Sequence, residues 1–262
     1  MDVAINSTLE ANQKLLTYIM DLGEILLKSG AEVNRVEDTV TRIGKAYGFC
    51  RVDVFSITSS IVVSAHDPQG DVFTETRRIT RYITDLDKIE RVNRLSRKIC
   101  AKPLDETELL EAIDQIKNAE GYSETAMFFT YGLISAAFSI FFGGTFNDGI
   151  TAFLCGLVLR VVLRLGRKMD LQNIVINFFT SAAVGIGAIV MIKMGLGQNM
   201  DKIIIGNIML LIPGILLTTS LRDMINGDLV TGIMGLGDAI LRSLAISFGF
   251  AVVMAWFGGG II

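Results

Sequence analysis

One histidine and three cysteines in 262 residues leave little room for metal or nucleophilic chemistry. Cys50, Cys100 and Cys155 form no CxxC pair, and neither HExxH nor a Cys/His cluster occurs. Zinc sites of the usual kinds are therefore absent from the sequence, and no metal or cofactor is expected. A Cys–His or Ser–His–Asp catalyst would have to use His66. That histidine runs into Asp67-Pro68-Gln69-Gly70, which reads as a turn closing an alternating strand. The first 25 residues lack a basic segment followed by an apolar one, so no cleavable signal peptide is expected. A net charge of -3 argues against a general nucleic-acid binder.

Charge is also unevenly missing. Residues 125–262 contain no glutamate, six aspartates (Asp148, Asp170, Asp201, Asp223, Asp228, Asp238) and only eight of the 24 Lys+Arg. Residues 1–124 hold 21 of the 27 Asp+Glu. With 51% apolar residues over the whole chain, this split predicts two domains. Residues 1–124 form a soluble, cytoplasmic α+β domain, and residues 125–262 an α-helical integral membrane domain of about five spans.

A span needs ~20 mostly apolar residues. The expected spans are Ala126–Phe142, Ile150–Leu165, Ile174–Met194, Ile203–Leu221 and Ala239–Phe257. Arg160 and Arg164 are placed to snorkel at the end of the second, and Trp256 to sit at the far interface. Arg164, Arg167 and Lys168 follow the second span and Arg222 the fourth, while Lys193 and Lys202 weigh the other way. The excess predicts a cytoplasmic N-terminal domain in a multi-pass protein of the cell membrane, with the C-terminus outward.

Polar residues recur at helical spacing within the apolar sequence. Tyr131, Ser135 and Ser139 share one face, as do Asn173, Asn177 and Ser181. Asn207, Gly214, Thr218 and Arg222 of the fourth span form a third stripe at 3.6 residues per turn. Such stripes serve as helix–helix glue, beside Ser181-xxx-Gly185 and Ala183-xxx-Gly187, or as the lining of a polar route. The stretch from Ile203 to Arg242 is the least uniform. It reads IIIGNIMLLIPGILLTTSL, then RDMINGD, then LVTGIMGLGDAILR. Pro213 has no N–H for the carbonyl of Met209, so a kink or break is expected before Gly214. Broken helices at membrane depth line cavities in transporters. Arg222-Asp223 and Asn226-Gly227-Asp228 then form a turn in which Asp228 can cap the next helix. Asp238 and Arg242 stand one turn apart and can pair. The expected substrate or proton pathway comprises Asn177, Asn207, Pro213, Gly214, Arg222, Asp223, Asn226, Gly227, Asp228, Asp238 and Arg242. Asp223 and Asp228 lead it as carboxylates whose partial desolvation would raise their pKa toward neutrality.

In the N-terminal half, residues 8–29, 33–48, 86–100 and 105–119 read as helices. Residues 50–57, 59–66 and 71–78 read as strands. Asp105 starts the last helix, with Glu108 at capping-box spacing. The basic run of Arg77, Arg78, Arg81, Arg91, Arg94, Arg97 and Lys98 is balanced by Asp85, Asp87 and Glu90, as on a solvated face. A membrane-anchored hydrolase is the alternative class, with Glu32, Glu37 and Asp53 as carboxylates but no nucleophile–base pair.

LLKSGAEVNRVEDTVTRIGKAYGF, with Gly30, Glu32, Arg35, Glu37, Arg42 and Gly48, resembles the opening of the threonine/serine exporter (ThrE) family. The hairpin ending in TETRRITR and the VNRLSR helix are similar to its continuation. LLIPG followed by RDMINGDLVTGI resembles the family's proline-glycine span and Asp-x-x-x-Gly-Asp turn. The likeness covers roughly residues 9–258. It implies no enzyme but an exporter of small polar or anionic metabolites, either threonine/serine-type amino acids or succinate-type dicarboxylates; with the turn aspartates Asp223 and Asp228, the expected driving force is the proton gradient. With five expected spans, the chain is similar to the longer, YjjP-type subunit of the family's split form. That implies a small YjjB-type membrane subunit or a homo-oligomer as partner, besides membrane lipid and the solute.

Overall fold

The computed structural model describes residues 2–80, 82–119 and 121–257, with side chains of the first helix from residue 9 onward. Arg81 of the basic run lies outside the described residues. The chain is mostly helical, with one small three-stranded sheet. It divides into two compact units, one of Met1–Glu120 with Ile215–Leu236, the other of Gly121–Gly214 with Gly237–Ile262.

In the first unit, α1 (Asp2–Lys28) and α2 (Val33–Ala46) precede three strands. These are β1 (Arg51–Ile57), β2 (Ser60–His66) and β3 (Val72–Arg78), in antiparallel order β1-β2-β3. Val54 pairs with Val63, and Val63 with Glu75. The alternation along β2 buries Ile61, Val63 and Ala65, the half-buried pattern of a sheet with one face on a core. Asp67 organises the hairpin turn by accepting the N–H groups of Gln69 at 3.0 Å and Asp71 at 2.9 Å. Two further helices follow, α3 (Leu86–Ala101) and α4 (Glu106–Lys117). Asp85 caps α3 through the Lys88 N–H, and Asp105 caps α4 through the Glu108 N–H. Leu16, Ile19 and Leu26 of α1 form the middle of the core, joined by Val40, Ile43, Val92, Ile99, Leu109 and Ile113. Burying each such side chain contributes about 1.5–3 kcal/mol. The basic run has the character of a solvated face: Arg91 pairs with Asp87 and Arg94 with Glu90, each at 2.6 Å one turn away.

The second unit opens with α5 (Glu124–Phe141), α6 (Phe146–Lys168) and α7 (Asn173–Lys193). The apolar run expected at Ile150–Leu165 lies inside a longer helix, because Thr145 and Asp148 close a capping box four residues earlier. Outward-facing residues here are apolar, among them Phe129, Leu133, Phe179, Ile186, Phe248 and Val252. An exterior of this kind suits lipid rather than water.

Among the described residues, four helices are long and apolar enough to cross a bilayer: α5, α6, α7 and α10 (Leu229–Phe257). The expected fourth span is corrected. Ile203–Leu221 is not one helix but α8 (Met200–Ile208) and α9 (Gly214–Ile225), separated by a turn. Neither reaches the ~20 residues of a span. Proline at 213 cannot continue the hydrogen-bond ladder of α8 but fits just ahead of a new helix start. The break also corrects the third stripe, since Asn207 and Gly214 stand on different helices. The glycine-rich stretch 229–238 is helical, the first part of α10.

Candidate functional site

The turn between α9 and α10 follows from the backbone demands of its sequence. Gly227 has φ +102°, which an L side chain adopts only with strain. It ends α9 in a Schellman-type closure, the Asp228 N–H donating to the Asp223 carbonyl at 2.9 Å. The Asp228 carbonyl then accepts the Gly232 N–H at 2.9 Å, so Asp228 is the first residue of the α10 ladder. The Asp-x-x-x-Gly-Asp spacing is thus one helix ending and another beginning, with a carboxylate on each side.

The corner between α1 and α2 is built in the same manner. Gly30 has φ +79°, and the Ala31 N–H reaches back to the Leu26 carbonyl at 3.1 Å. Glu32 is the N-cap of α2, but its side chain makes no capping bond. The Val33 N–H, one of the helix's orphan donors, instead donates to Asp223 Oδ1 at 3.3 Å. Asp223 therefore caps α2 from 190 residues away. Glu32 forms an ion pair with Arg222.

Asp223 is only 5% exposed. Burial pushes its carboxyl up to about 6, the Val33 N–H opposes that shift, and the neighbouring charges of Asp228 and Glu32 add to it. Glu37, half-buried on α2, accepts the Ser56 N–H at 2.8 Å and the Ser56 hydroxyl at 3.1 Å. Its carboxyl is raised, first by burial and further by the charge of Asp228. Among the described residues Asp228 Oδ2 is enclosed without a hydrogen-bond partner. A cleft beside these groups has about 520 Å³ of free space, its open mouth included, and is lined by Asp223, Thr219, Ser220, Thr231, Gly30 and Thr84, among others. Among the described residues no lysine or arginine lines it.

The structure thus brings together Gly30, Glu32, Glu37, Arg222, Asp223, Gly227 and Asp228. It leaves others out. Arg35 is exposed on α2 and Asn226 exposed at the turn. Arg42 pairs with Asp38 at 2.7 Å on the solvated side of α2. Asp53 of the hydrolase alternative pairs with Arg51 at 2.7 Å on β1.

A second polar cluster lies within the other unit. Asn207 on α8 is fully buried. It accepts from the Ser135 hydroxyl at 3.0 Å and donates to the Ile203 and Ala152 carbonyls at 2.9 and 3.4 Å. Gly206 lets α8 approach the backbone of α5 at Ser135. No hydrogen bond joins Asn177, half-buried on α7, to this cluster among the described residues. Asp238 and Arg242 pair at 2.6 Å along α10. Pro213 and Gly214 lie at the helix break.

Two residues here escaped sequence reasoning. Arg160 does not snorkel: it is 6% exposed, bonds Glu124 at 3.1 and 3.3 Å, and sits 5.4 Å from the Tyr131 ring centre. Asp148, fully buried, accepts from Thr145 N, Thr145 Oγ1, Gln198 N, Asn199 N and Asn199 Nδ2, all at 2.8–3.0 Å. It staples the α5–α6 turn to the α7–α8 loop. A capping-box spacing at Thr145-x-x-Asp148 was the only signal available for it.

Residues 17–257 match the family model described as "Putative threonine/serine exporter". A "Probable succinate transporter subunit YjjP" of Klebsiella aerogenes is 26% identical over 89% of this chain and 90% of its own length. A "Probable threonine/serine exporter" of Mycobacterium tuberculosis is 25% identical over 92% of this chain, which spans 46% of that protein. The "Threonine/serine exporter" of Corynebacterium glutamicum is 25% identical over 80% of this chain and 44% of its own length. The chain therefore spans less than half of the two relatives named as threonine/serine exporters. No solved structure matches.

Proposed function

The chain belongs to the threonine/serine exporter family, and from that membership we propose that it is an exporter subunit for small polar or anionic metabolites, driven by the proton gradient. Threonine/serine-type amino acids and succinate-type dicarboxylates are the two substrate classes, after the names of its relatives. The observation that carries the reading is the buried Asp223 beside Asp228 at the α9–α10 turn, directly after a proline-broken helix. A carboxyl raised to about 6 changes charge within the range that proton-coupled transport uses. The hydrogen-bonded turn that interrupts the helix between α8 and α9 is the kind of discontinuity that lines solute routes.

In this reading residues 125–262 form the membrane domain and residues 1–124 a soluble domain on the cytoplasmic side of the cell membrane. Asn177, Asn207, Pro213, Gly214, Asp238 and Arg242 are the pathway residues of the second unit, and Arg222, Asp223, Asn226, Gly227 and Asp228 those of the first. Gly30, Glu32, Arg35, Glu37 and Arg42 belong to the soluble domain. The working unit includes a second copy or a small YjjB-type membrane subunit, consistent with the word subunit in the name of the Klebsiella relative. The test is efflux from loaded cells of threonine, serine and succinate, with and without that partner. Faster export of at least one solute is expected, and no change for any of the three in either setting would refute the assignment.

A further inference from the structure

The N-terminal α+β fold meets the α9–α10 turn through an excess of carboxylates. Glu32 comes from the α1–α2 corner, Glu37 from α2, Asp223 from α9 and Asp228 from the turn. Among the described residues one guanidinium, Arg222, pairs with Glu32. Tyr82 lines the adjoining cleft. Fully ionised, the group carries three more negative than positive charges. Like charges held this close in partly buried surroundings repel, and each proton taken up relieves the repulsion.

We propose that the α1–α2 corner is an acid-closed clasp on the α9–α10 turn, drawn shut when Asp223 takes up a proton and pushed open when it loses one. The inference rests on reading Asp223 as a proton carrier of the exporter, and it gives the soluble domain a task in that cycle. Two structural observations favour a clasp over a fixed joint. The first turn of α2 has no side-chain cap of its own and borrows Asp223. A neutral carboxyl still offers Val33 its carbonyl oxygen, so closure keeps the cap while shedding the buried charge. Asp228 Oδ2 is enclosed with no hydrogen-bond partner among the described residues, so no bond at that oxygen fastens the turn in place. Linkage sets the direction: a carboxyl whose proton affinity is higher in the closed form makes acid favour closure.

The test uses the full chain in lipid nanodiscs, with spin labels at Asn34→Cys and Ile225→Cys, both exposed positions. Cys50→Ser and Cys100→Ser remove the exposed native thiols. Wild-type background should shift toward the short distance by about tenfold in population between pH 8 and pH 5, as a carboxyl titrating near 6 requires. Asp223→Asn should stay short at both pH values, and Glu37→Gln should move the closing midpoint to higher pH. A distance distribution independent of pH in the wild-type background, or an open Asp223→Asn at pH 5, would overturn the clasp. Efflux is measured in parallel on the unlabelled Asp223→Asn protein. Lost efflux with a pH-insensitive distance removes the clasp and leaves the transport reading. Acid closure with normal efflux keeps the clasp and removes Asp223 from transport.

Discussion

Asp148 and Asp223 are both buried aspartates at helix ends, and they are held in opposite ways. Asp148 accepts five hydrogen bonds from three residues in two segments, whereas Asp223 accepts one backbone N–H at 3.3 Å and faces two other carboxylates. A carboxylate with its lone pairs satisfied behaves as a fixed part of the framework. One that is buried with few donors trades charge for a proton easily. The difference separates a carboxylate built into the framework from one proposed to work in transport, without reference to how deep either lies.

The largest effect should come from removing the satisfied one. Asp148→Ala leaves the Gln198, Asn199 and Thr145 N–H groups without their acceptor. Unmade bonds to a charged group cost enough that about 3–5 kcal/mol of stability should be lost. Thermal unfolding of the purified protein would register this as a large fall in Tm at every pH.

Asp223→Asn should act in the opposite direction. The carboxyl lies at about 6 in the folded protein, above its ordinary value of 3.8. Its ionised form therefore destabilises the fold. The advantage of the protonated form is complete below the ordinary value and is lost as pH rises through the folded one. At pH 8 this amounts to roughly 3 kcal/mol. The variant should raise Tm at pH 8 and leave it nearly unchanged at pH 4; a lower Tm at pH 8 would show that ionised Asp223 is stabilising after all.

Asn207→Leu should cost about 1–2 kcal/mol by stranding the Ser135 hydroxyl, with no change in the pH dependence of Tm. A pH-dependent response would move Asn207 from the packing seam into the titrating group. Arg222→Ala should be mildest, below about 1 kcal/mol, because its pair with Glu32 is exposed on the arginine side and screened. A larger loss would mean that Arg222 holds the carboxylates together.

Local rules made the first unit readable. The hairpin, its Asp67 turn and the Asp105 cap depend on neighbours within a few residues, and the periodicity of α1–α4 is regular. The break at Pro213 was equally legible because proline's missing donor acts locally. What it did to the span count was not, since an unbroken hydropathy profile hides two short helices. Arg160 was misread because its partner Glu124 lies 36 residues upstream, and nothing in RVVLR shows which way an arginine turns. Asp223 was singled out for its place in an apolar context, but the bond to Val33 spans 190 residues. Long-range contacts of this kind leave no spacing to detect. The Glu37–Asp228 neighbourhood is hidden in the same way.

Transport is the most direct test of the turn carboxylates. Cells expressing the chain with the proposed small membrane subunit are loaded with threonine, serine or succinate, and efflux is followed while the transmembrane pH gradient is varied. Gradient-dependent efflux that falls at least tenfold in both Asp223→Asn and Asp228→Asn, with both proteins still in the membrane, is the predicted result. Normal efflux in both variants would contradict it.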